Sequence, residues 1–373
     1  MNDGKSYNLN QLQVAIDLRG MKNKEFALFI DCPVSTFQSY MNGKRIIPSA
    51  FLEKCALKLN VPLSFFYIED LANLETDRIF YRSFSRIKAA HRGSVESYVK
   101  VAMRIDSYFS KYLNMPKFLP IDLDVIEPSS SIAEVASLKL RVEWGLGILP
   151  IKNIVSLLEK KGLRVYRLPL EVRDVDALSV PNDDGIPFVF LNTGKSAERI
   201  RFDAAHELGH HILHHYGKAS TNTENENLKQ LEIEADQFAS DFLMPTDAFV
   251  ARRPRYPTID AMIESKKYWN VSLQAFNYKA HKVKLITDWI YRSNCIQINK
   301  QGFHRSEPQT MGYDESIFFR KALHLLMEKP DFSIQKMLDE ICISREDFNE
   351  LTFDSIEQVE RETKKPNKLY IVE

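Results

Sequence analysis

Two histidines and a glutamate in the segment RFDAAHELGHHILHH, residues 201–215, have the spacing of a metal-binding helix. His206 and His210 are four residues apart, so on a helix both imidazoles lie on one face, about one turn from each other. Glu207 follows the first histidine and can reach a water molecule on a metal without binding the metal itself. This HExxH arrangement predicts zinc bound by the two histidines, with Glu207 as general base. The alternative is a chance motif with buried or solvated histidines.

A catalytic zinc site also needs a third protein ligand and an open position for water. The segment LEIEADQFASDFLMP supplies Glu232, 22 residues after His210, and Asp236 follows it by four and faces the same way on a helix. We expect Glu232 to bind the metal and Asp236 to accept the free N–H of a ligand histidine, which fixes the tautomer. Glu234 is the competing ligand, but it points about 160° away from Asp236. We therefore expect Glu234 to be solvated.

The other residues of the histidine segment have less specific roles. His214 lies one further turn beyond His210. It is either a catalytic group at the rim of the site, contacting substrate or stabilising an oxyanion, or a helix-packing residue. His211 and His215 turn off the ligand face, and we expect them to be solvated or structural. Gly209 has no side chain, so another element can approach the helix closely there.

The elements around this helix predict an α+β fold that is mostly helical with a small β-sheet. Three short runs with strand character, LRVYRLP, VDALSV and PFVFLN, are separated by turn signals and precede the histidine helix. Two helical segments, IAEVASLKLRVEWG and IKNIVSLLEKKG, come before these runs. The helix that holds Glu232 ends at Pro245.

The flanking regions are predicted to be helical. Residues 8–68 have the pattern of short helices with tight turns, and SVESYVKVAMRIDSYFSKYL has that of an amphipathic helix. The segment MPKFLPIDLDVIEPSSS has the composition of a linker. Near the end, DFSIQKMLDEICISREDFNELTF predicts two short amphipathic helices around Ile343 and Ser344.

Composition limits the classes of protein and partner. A chain of 373 residues is long enough for two or three domains. Lysine plus arginine equals aspartate plus glutamate, at 50 each, so any nucleic-acid binding must come from a local surface. The four cysteines lie far apart without a CxxC pair, which indicates reduced thiols and a cytoplasmic protein. We expect no signal peptide and no membrane span or membrane partner.

The central region resembles the ImmA/IrrE-type metallopeptidases from about Ile132 to Ile286. The resemblance rests on AERIRFDAAHELGHHILHH and EIEADQFASDFLMP, with support from LRVEWGLGILPIKNIVSLLEKKGLRV, FVFLNTGKSAERIRF and WNVSLQAFNYKAHKVKLI. It implies a zincin-like fold and a zinc metalloendopeptidase of the gluzincin type. Its zinc ligands would be His206, His210 and Glu232. The family usually has asparagine where this chain has Asp236, which is the stronger acceptor.

The segment MKNKEFALFIDCPVSTFQSYMNGKRI, from Met21 to Arg45, resembles the helix-turn-helix of XRE/Cro-type repressors. The resemblance implies a recognition helix of about Val34 to Met41 in the DNA major groove. Gln38 could then read an adenine, and Lys44 would contact phosphate. The DNA-binding residues implied are Ser35, Thr36, Gln38, Ser39, Lys44 and Arg45. The core residues implied are Phe26, Ala27, Ile30 and Phe37.

Two departures weaken the DNA-binding interpretation. Asn23 stands where the family usually has a glutamine directed at phosphate, and Asp31 stands where the turn usually has glycine. Double-stranded DNA nevertheless remains one predicted partner, and we expect the protein to bind it as a homodimer. The alternative is a helical bundle kept for protein contact, such as pairing with a repressor of the same fold.

Together these patterns divide the chain into four parts. Residues 1–70 would form the helix-turn-helix domain, 71–130 a helical connector and linker, 131–290 the peptidase-like domain, and 291–373 a helical carboxyl-terminal region. The resemblance implies a zinc-dependent endopeptidase that cleaves an XRE-type transcriptional repressor and so derepresses stress or mobile-element genes. The alternative is a transcriptional regulator whose peptidase-like domain senses a ligand or zinc and cleaves nothing.

Overall fold

The computed structural model describes residues 7–69, 89–119, 121, 131–168, 175–182, 184–215, 226–303 and 305–364. These residues form a mostly helical α+β fold with one three-stranded sheet, as the sequence predicts. Within these ranges, no helix has the combination of length and apolar character that crossing a membrane requires. The four cysteines are free thiols.

Short helices open the chain and surround a closely packed core. The helices before the sheet are α1 (Leu9–Leu18), α2 (Asn23–Phe29), α3 (Val34–Met41), α4 (Ser49–Leu59), α5 (Ala89–Tyr112), α6 (Ile132–Glu143) and α7 (Ile154–Lys160), with a 3₁₀ turn at Leu63–Tyr67. The predicted recognition helix coincides with α3. The predicted core residues Phe26, Ala27, Ile30 and Phe37 are fully buried.

Helix α5 lies in the predicted connector, yet it is a core helix. Its apolar face packs against α1, and the hydroxyl of Tyr98 donates to the carbonyl of Leu18 at 2.7 Å. One turn further along, the hydroxyl of Tyr166 in the sheet donates to the carbonyl of Ala102 at 2.9 Å. The helix therefore joins the amino-terminal helices to the sheet. Residues 122–130 of the predicted linker lie outside the described residues.

The three predicted strands form one sheet. They are β1 (Arg164–Leu168), β2 (Ala177–Pro181) and β3 (Pro187–Asn192), in the order β1-β3-β2. Strand β3 is parallel to β1 and antiparallel to β2. Strand β2 is therefore at an edge of the sheet. Its Ser179 contacts the histidine helix.

Both faces of the sheet are covered, and each face belongs to a different hydrophobic core. Tyr166, Phe188 and Phe190 point to a core made with the amino-terminal helices, α5 and the carboxyl-terminal helices. Val189 and Leu191 point to a second core that includes α6, α7 and the histidine helix. Because neighbouring residues of a strand face opposite ways, the run PFVFLN supplies both cores.

The remaining chain is helical. The elements after the sheet are α8 (Ala197–His210), continued by a wide π turn at His211–His215, α9 (Glu226–Leu243), α10 (Thr246–Ala251), α11 (Ile259–Trp269), α12 (Leu273–Lys282), α13 (Asp288–Lys300), α14 (Phe318–Met327), α15 (Ile334–Ile341), α16 (Arg345–Leu351) and α17 (Ser355–Lys364). The boundary predicted at residue 290 falls inside α13. Helices α15 and α16 are the two predicted around Ile343 and Ser344.

A segment without helix or strand between α13 and α14, residues 305–317, connects the two cores. We call it the strap. Its Asp314 pairs with the buried Arg201 of α8, and Glu159 of α7 accepts hydrogen bonds from the Ser316 hydroxyl and from the Ile317 amide. Beyond the strap, the carboxyl-terminal helices enter the core of the amino-terminal helices. The predicted first and last parts of the chain therefore pack together.

Candidate metal centre

Helix α8 is fixed at its start by its own sequence and along its length by packing. The Ser196 side chain caps the helix by accepting from the Arg199 amide at 3.2 Å. The negative charge of Glu198 in the first turn interacts favourably with the positive end of the helix dipole. The helix lies between the sheet and α9, so most of its side chains are buried, whatever their polarity. His210 is buried by this packing, whereas His206 is partly exposed.

Three side chains from α8 and α9 bring their ligand atoms to one point. His206 Nε2 and His210 Nε2 are 3.0 Å apart, and the carboxylate oxygens of Glu232 lie 3.5 Å from the first and 3.4 Å from the second. Zinc bonds of about 2.0–2.1 Å in a tetrahedron place neighbouring ligand atoms about 3.3 Å apart. The three residues predicted as ligands therefore have the spacing that a tetrahedral zinc ion requires. Within the described ranges, they are the histidine, cysteine and acidic residues that cluster in this way.

Close contact between α8 and α9 makes this arrangement possible. A Cβ atom at Gly209 would lie 3.0 Å from Cδ1 and 3.2 Å from Cβ of Phe238. The ring of Phe238 thus occupies the space that the missing side chain leaves. The expected close approach at Gly209 is therefore present, and the approaching element is the helix that holds Glu232.

Each of the two predicted ligand histidines has a partner at its Nδ1 atom. His206 Nδ1 lies 2.8 Å from a carboxylate oxygen of Asp236, which is the contact expected for that residue. His210 Nδ1 lies 3.1 Å from Nδ1 of His214, whose Nε2 is 3.1 Å from Glu234. The structure therefore places Asp236 next to His206 and His214 next to His210.

Two of the predicted roles need correction on this geometry. The side chain of His214 is only 7% exposed and both of its ring nitrogens have partners, so it lies behind His210 instead of at a substrate-contacting rim. Glu234 is not a solvated side chain, because it accepts from His214 and from Gln230. His211 is fully buried, in agreement with a structural role. The side chain of His215 lies outside the described residues.

The predicted base, Glu207, points towards the sheet. It is almost completely buried, and the hydroxyl of Ser179 on β2 donates to its carboxylate. One turn earlier, burial raises the pKa of Asp203 to about 7, although Arg199 Nε lies 3.0 Å from that carboxylate and opposes the shift. Sequence reasoning missed Ser179 and Asp203. Their signals were a polar residue inside an apolar strand and a carboxylate four residues before Glu207.

The predicted DNA-binding residues lie on a separate surface. Ser35 and Gln38 are exposed on α3, Thr36 and Ser39 are half-buried, and the Ser39 hydroxyl donates to the Ser35 carbonyl at 2.9 Å. Lys44 and Arg45 are exposed in the loop that follows. This helix belongs to the core on the opposite face of the sheet from α8.

The structure gives Asn23 a protein partner and shows the backbone conformation of Asp31, the two residues that depart from the repressor pattern. Asn23 donates to Gln13 of α1 at 2.9 Å, so it is directed at the protein and not at a phosphate. Asp31 adopts the left-handed conformation, with φ of 53°, at the turn position where glycine is usual.

The family comparison covers the candidate metal site and not the amino-terminal helices. No curated protein matches the chain. Residues 158–281 match the family model of the IrrE N-terminal-like domain, which is the peptidase M78 family. The matched range contains the three predicted ligands, Glu207, and the α8–α9 pair that positions them, so the region from 158 to 281 is similar to a metallopeptidase domain of this family.

Proposed function

We propose that the protein is a zinc-dependent endopeptidase. The observation that carries this proposal is the set of ligand-atom separations among His206, His210 and Glu232, with Glu207 next to the first ligand on the same helix. The family match over residues 158–281 supports the proposal. Glu207 supports it too, because a non-catalytic metal site would need the three ligands but not the adjacent base.

When bound, zinc would polarise the scissile carbonyl and lower the pKa of a water molecule towards neutrality. Glu207 accepts the proton of the attacking water and passes it to the leaving amine. The Ser179 hydroxyl holds the Glu207 carboxylate in one orientation from the edge strand. Asp236 keeps the proton of His206 on Nδ1, so that Nε2 is available as the ligand.

The edge strand also offers a place for an extended substrate. Within the described residues, β2 pairs with β3 on one side and with no strand on the other. A peptide that adds to this outer edge would form backbone hydrogen bonds that are independent of its sequence. Since Ser179 of β2 contacts Glu207, such a peptide would lie next to the base.

The helices α2 and α3 supply a second binding activity in this proposal. They have the helix–turn–helix order, with a left-handed residue in the turn and an exposed face that includes Ser35 and Gln38. We assign duplex DNA to this face, with Lys44 and Arg45 directed at phosphates. Binding at an operator would raise the peptidase concentration near a DNA-bound repressor, which the family resemblance implies as substrate.

A pair of glutamate variants tests the peptidase. Glu207→Gln is nearly isosteric, so zinc content and stability should be unchanged, but the amide cannot accept the proton. We expect activity to fall by about 10²–10⁴-fold. Glu232→Gln removes a negatively charged ligand, so zinc affinity itself should fall. The measurements are metal analysis and cleavage of a repressor encoded near the gene.

Two results would contradict this function. One zinc per chain that survives the His206→Ala, His210→Ala double substitution would exclude the site. Repressor cleavage by Glu207→Gln at the wild-type rate would exclude the mechanism. Zinc binding without cleavage of any repressor would favour the regulator that senses zinc or a ligand.

A further inference from the structure

The two ligand histidines are supported in different ways, and the difference concerns His210. A carboxylate, Asp236, contacts the Nδ1 of His206 directly. For His210 the corresponding contact is another imidazole, that of His214, and the carboxylate of Glu234 comes one step further back. Gln230 donates to the other oxygen of Glu234 at 2.9 Å.

When His210 binds a metal through Nε2, the hydrogen bonds that run from His210 through His214 to Glu234 can have only one direction. Its proton must then be on Nδ1, which donates to the Nδ1 of His214. A neutral His214 that accepts at Nδ1 carries its own proton on Nε2. That nitrogen donates to Glu234, and the carboxylate is the end of the chain.

The hydrogen bonds behind His210 are less exposed to water than the direct contact behind His206. The side chain of His214 is 7% exposed and that of Glu234 is 25% exposed, whereas that of Asp236 is 55% exposed. Water competes less for hydrogen bonds in the less exposed environment, so the hydrogen bonds through His214 to Glu234 are better protected from water. The same burial places His214 beyond direct contact with a substrate at the metal.

We propose that His214 and Glu234 are positioning residues that orient His210 and set its tautomer, and thereby set the affinity for zinc. This inference rests on the proposed zinc site. It gives Glu234 a function although it is not a ligand, and it assigns His214 to the metal site although it contacts neither metal nor substrate. Partners of metal-bound histidines typically change metal affinity by about 10- to 100-fold when they are removed.

The test measures zinc dissociation constants by chelator competition on the full-length protein. Glu234→Gln and His214→Gln should each weaken zinc binding by about 10- to 100-fold. Because His214 and Glu234 act on His210 through the same series of hydrogen bonds, the double variant should bind zinc no more weakly than His214→Gln alone. Asp236→Asn acts on the other ligand, so its effect should multiply with that of Glu234→Gln.

A matched control is available elsewhere in the chain. Glu362 also accepts from a histidine, with 2.7 Å between its carboxylate and His324 Nε2, but the pair lies on α14 and α17. Glu362→Gln should leave zinc affinity unchanged. Cobalt absorption spectra of each variant should show altered ligand geometry for the His214 and Glu234 substitutions and not for this control.

The outcome separates this inference from the proposed function. Wild-type protein that binds one zinc and cleaves its substrate, with Glu234→Gln binding zinc equally tightly, would overturn the inference and leave the peptidase standing. Multiplying effects of His214→Gln and Glu234→Gln would also overturn it. Wild-type protein without zinc affinity would overturn both. Imidazole NMR of the zinc-loaded wild type is a check that needs no variant. A proton on Nδ1 of His214 would contradict the proposed direction of the hydrogen bonds from His210 to Glu234.

Discussion

At the scale of single residues, the orientation of Glu207 depends on one hydroxyl group. Ser179 donates to a buried carboxylate, and hydrogen bonds to charged groups contribute about 1.5–3 kcal/mol. We expect Ser179→Ala to lower kcat by roughly 10- to 100-fold, at 1.36 kcal/mol per factor of ten. Zinc content should not change, because Ser179 is not a ligand.

Ser179→Thr provides the control for this substitution. Threonine keeps the hydroxyl and suits a strand, so it should retain most of the activity. Equal loss in the alanine and threonine variants would show that the strand surface matters and the hydroxyl does not. Wild-type rates in both would remove Ser179 from the mechanism.

The residues that sequence reasoning found are those whose relation is set within one helix. The spacings from His206 to His210 and from Glu232 to Asp236 are each four residues, so helical geometry alone predicts their common faces. The partners of His214 depend on how two helices meet and on the wide turn that continues α8. A helical angle measured on α9 alone therefore gave the wrong environment for Glu234.

At the scale of elements, the contact between α8 and α9 leaves little room for a larger residue at Gly209. Alanine is about 1 kcal/mol better than glycine in a helix, but overpacking a core costs typically 1–3 kcal/mol. Since a Cβ at Gly209 would lie 3.0 Å from the Phe238 ring, we expect overpacking to win. Gly209→Ala should lower the free energy of unfolding and, by moving α9 and Glu232, weaken zinc binding.

Denaturant unfolding and zinc competition measure the two effects, and a second substitution checks the cause. Phe238→Leu shortens the side chain that meets the new methyl group, so it should cost less in the Gly209→Ala background than alone. If the two substitutions are additive, the contact between these helices is not what requires glycine.

The surface of α3 gives a second prediction at this scale. Gln38→Ala should reduce sequence preference for DNA, whereas Lys44→Ala should weaken all duplexes alike and reduce the salt dependence. The full chain is the appropriate sample, because the amino-terminal helices share a core with α5 and the carboxyl-terminal helices. Quantitative binding at several salt concentrations measures both effects.

Lys117 is the matched control, since it is exposed in the loop after α5. Lys117→Ala should bind DNA like the wild type. If no duplex is preferred in a genome-wide selection by folded protein, the amino-terminal helices bind a protein and not DNA.

At the scale of the molecule, the sheet separates two cores that the order of the chain does not reveal. The elements themselves were predictable, because strands and amphipathic helices follow local periodicity. Their assembly was not, because α5, one face of the sheet and α14 to α17 meet only in three dimensions. The buried pair of Arg164 with Asp106 and the bidentate pair of Arg19 with Asp347 show these long-range contacts. The predicted division into four consecutive parts therefore omits the contacts that join them.

The strap that links the two cores contacts a buried carboxylate, that of Glu159, and we expect this contact to depend on pH. Burial raises the pKa of Glu159 to about 7, despite hydrogen bonds from Ser316 and from the amides of Ile317 and Phe318. The folded state therefore holds this proton more tightly than the unfolded chain, whose glutamates titrate near 4.3. Stability from this group is full below about pH 4 and is lost as the pH rises towards 7. Above that range its contribution is constant.

Glu159→Gln should remove this dependence. The amide oxygen can accept from the amides of Ile317 and Phe318 while its NH2 group donates to the Ser316 hydroxyl, so glutamine resembles the protonated carboxyl and the two proteins should be similarly stable at low pH. The variant should then become the more stable protein between pH 5 and 7, with a difference that grows by at most about 1.4 kcal/mol per pH unit. Denaturant unfolding of both proteins across this range measures the slope. Glu315, an exposed carboxylate of the strap, is the matched control, and Glu315→Gln should keep the wild-type slope. Parallel stability curves for wild type and Glu159→Gln would show that Glu159 stays ionised and that the strap is not sensitive to pH at this contact.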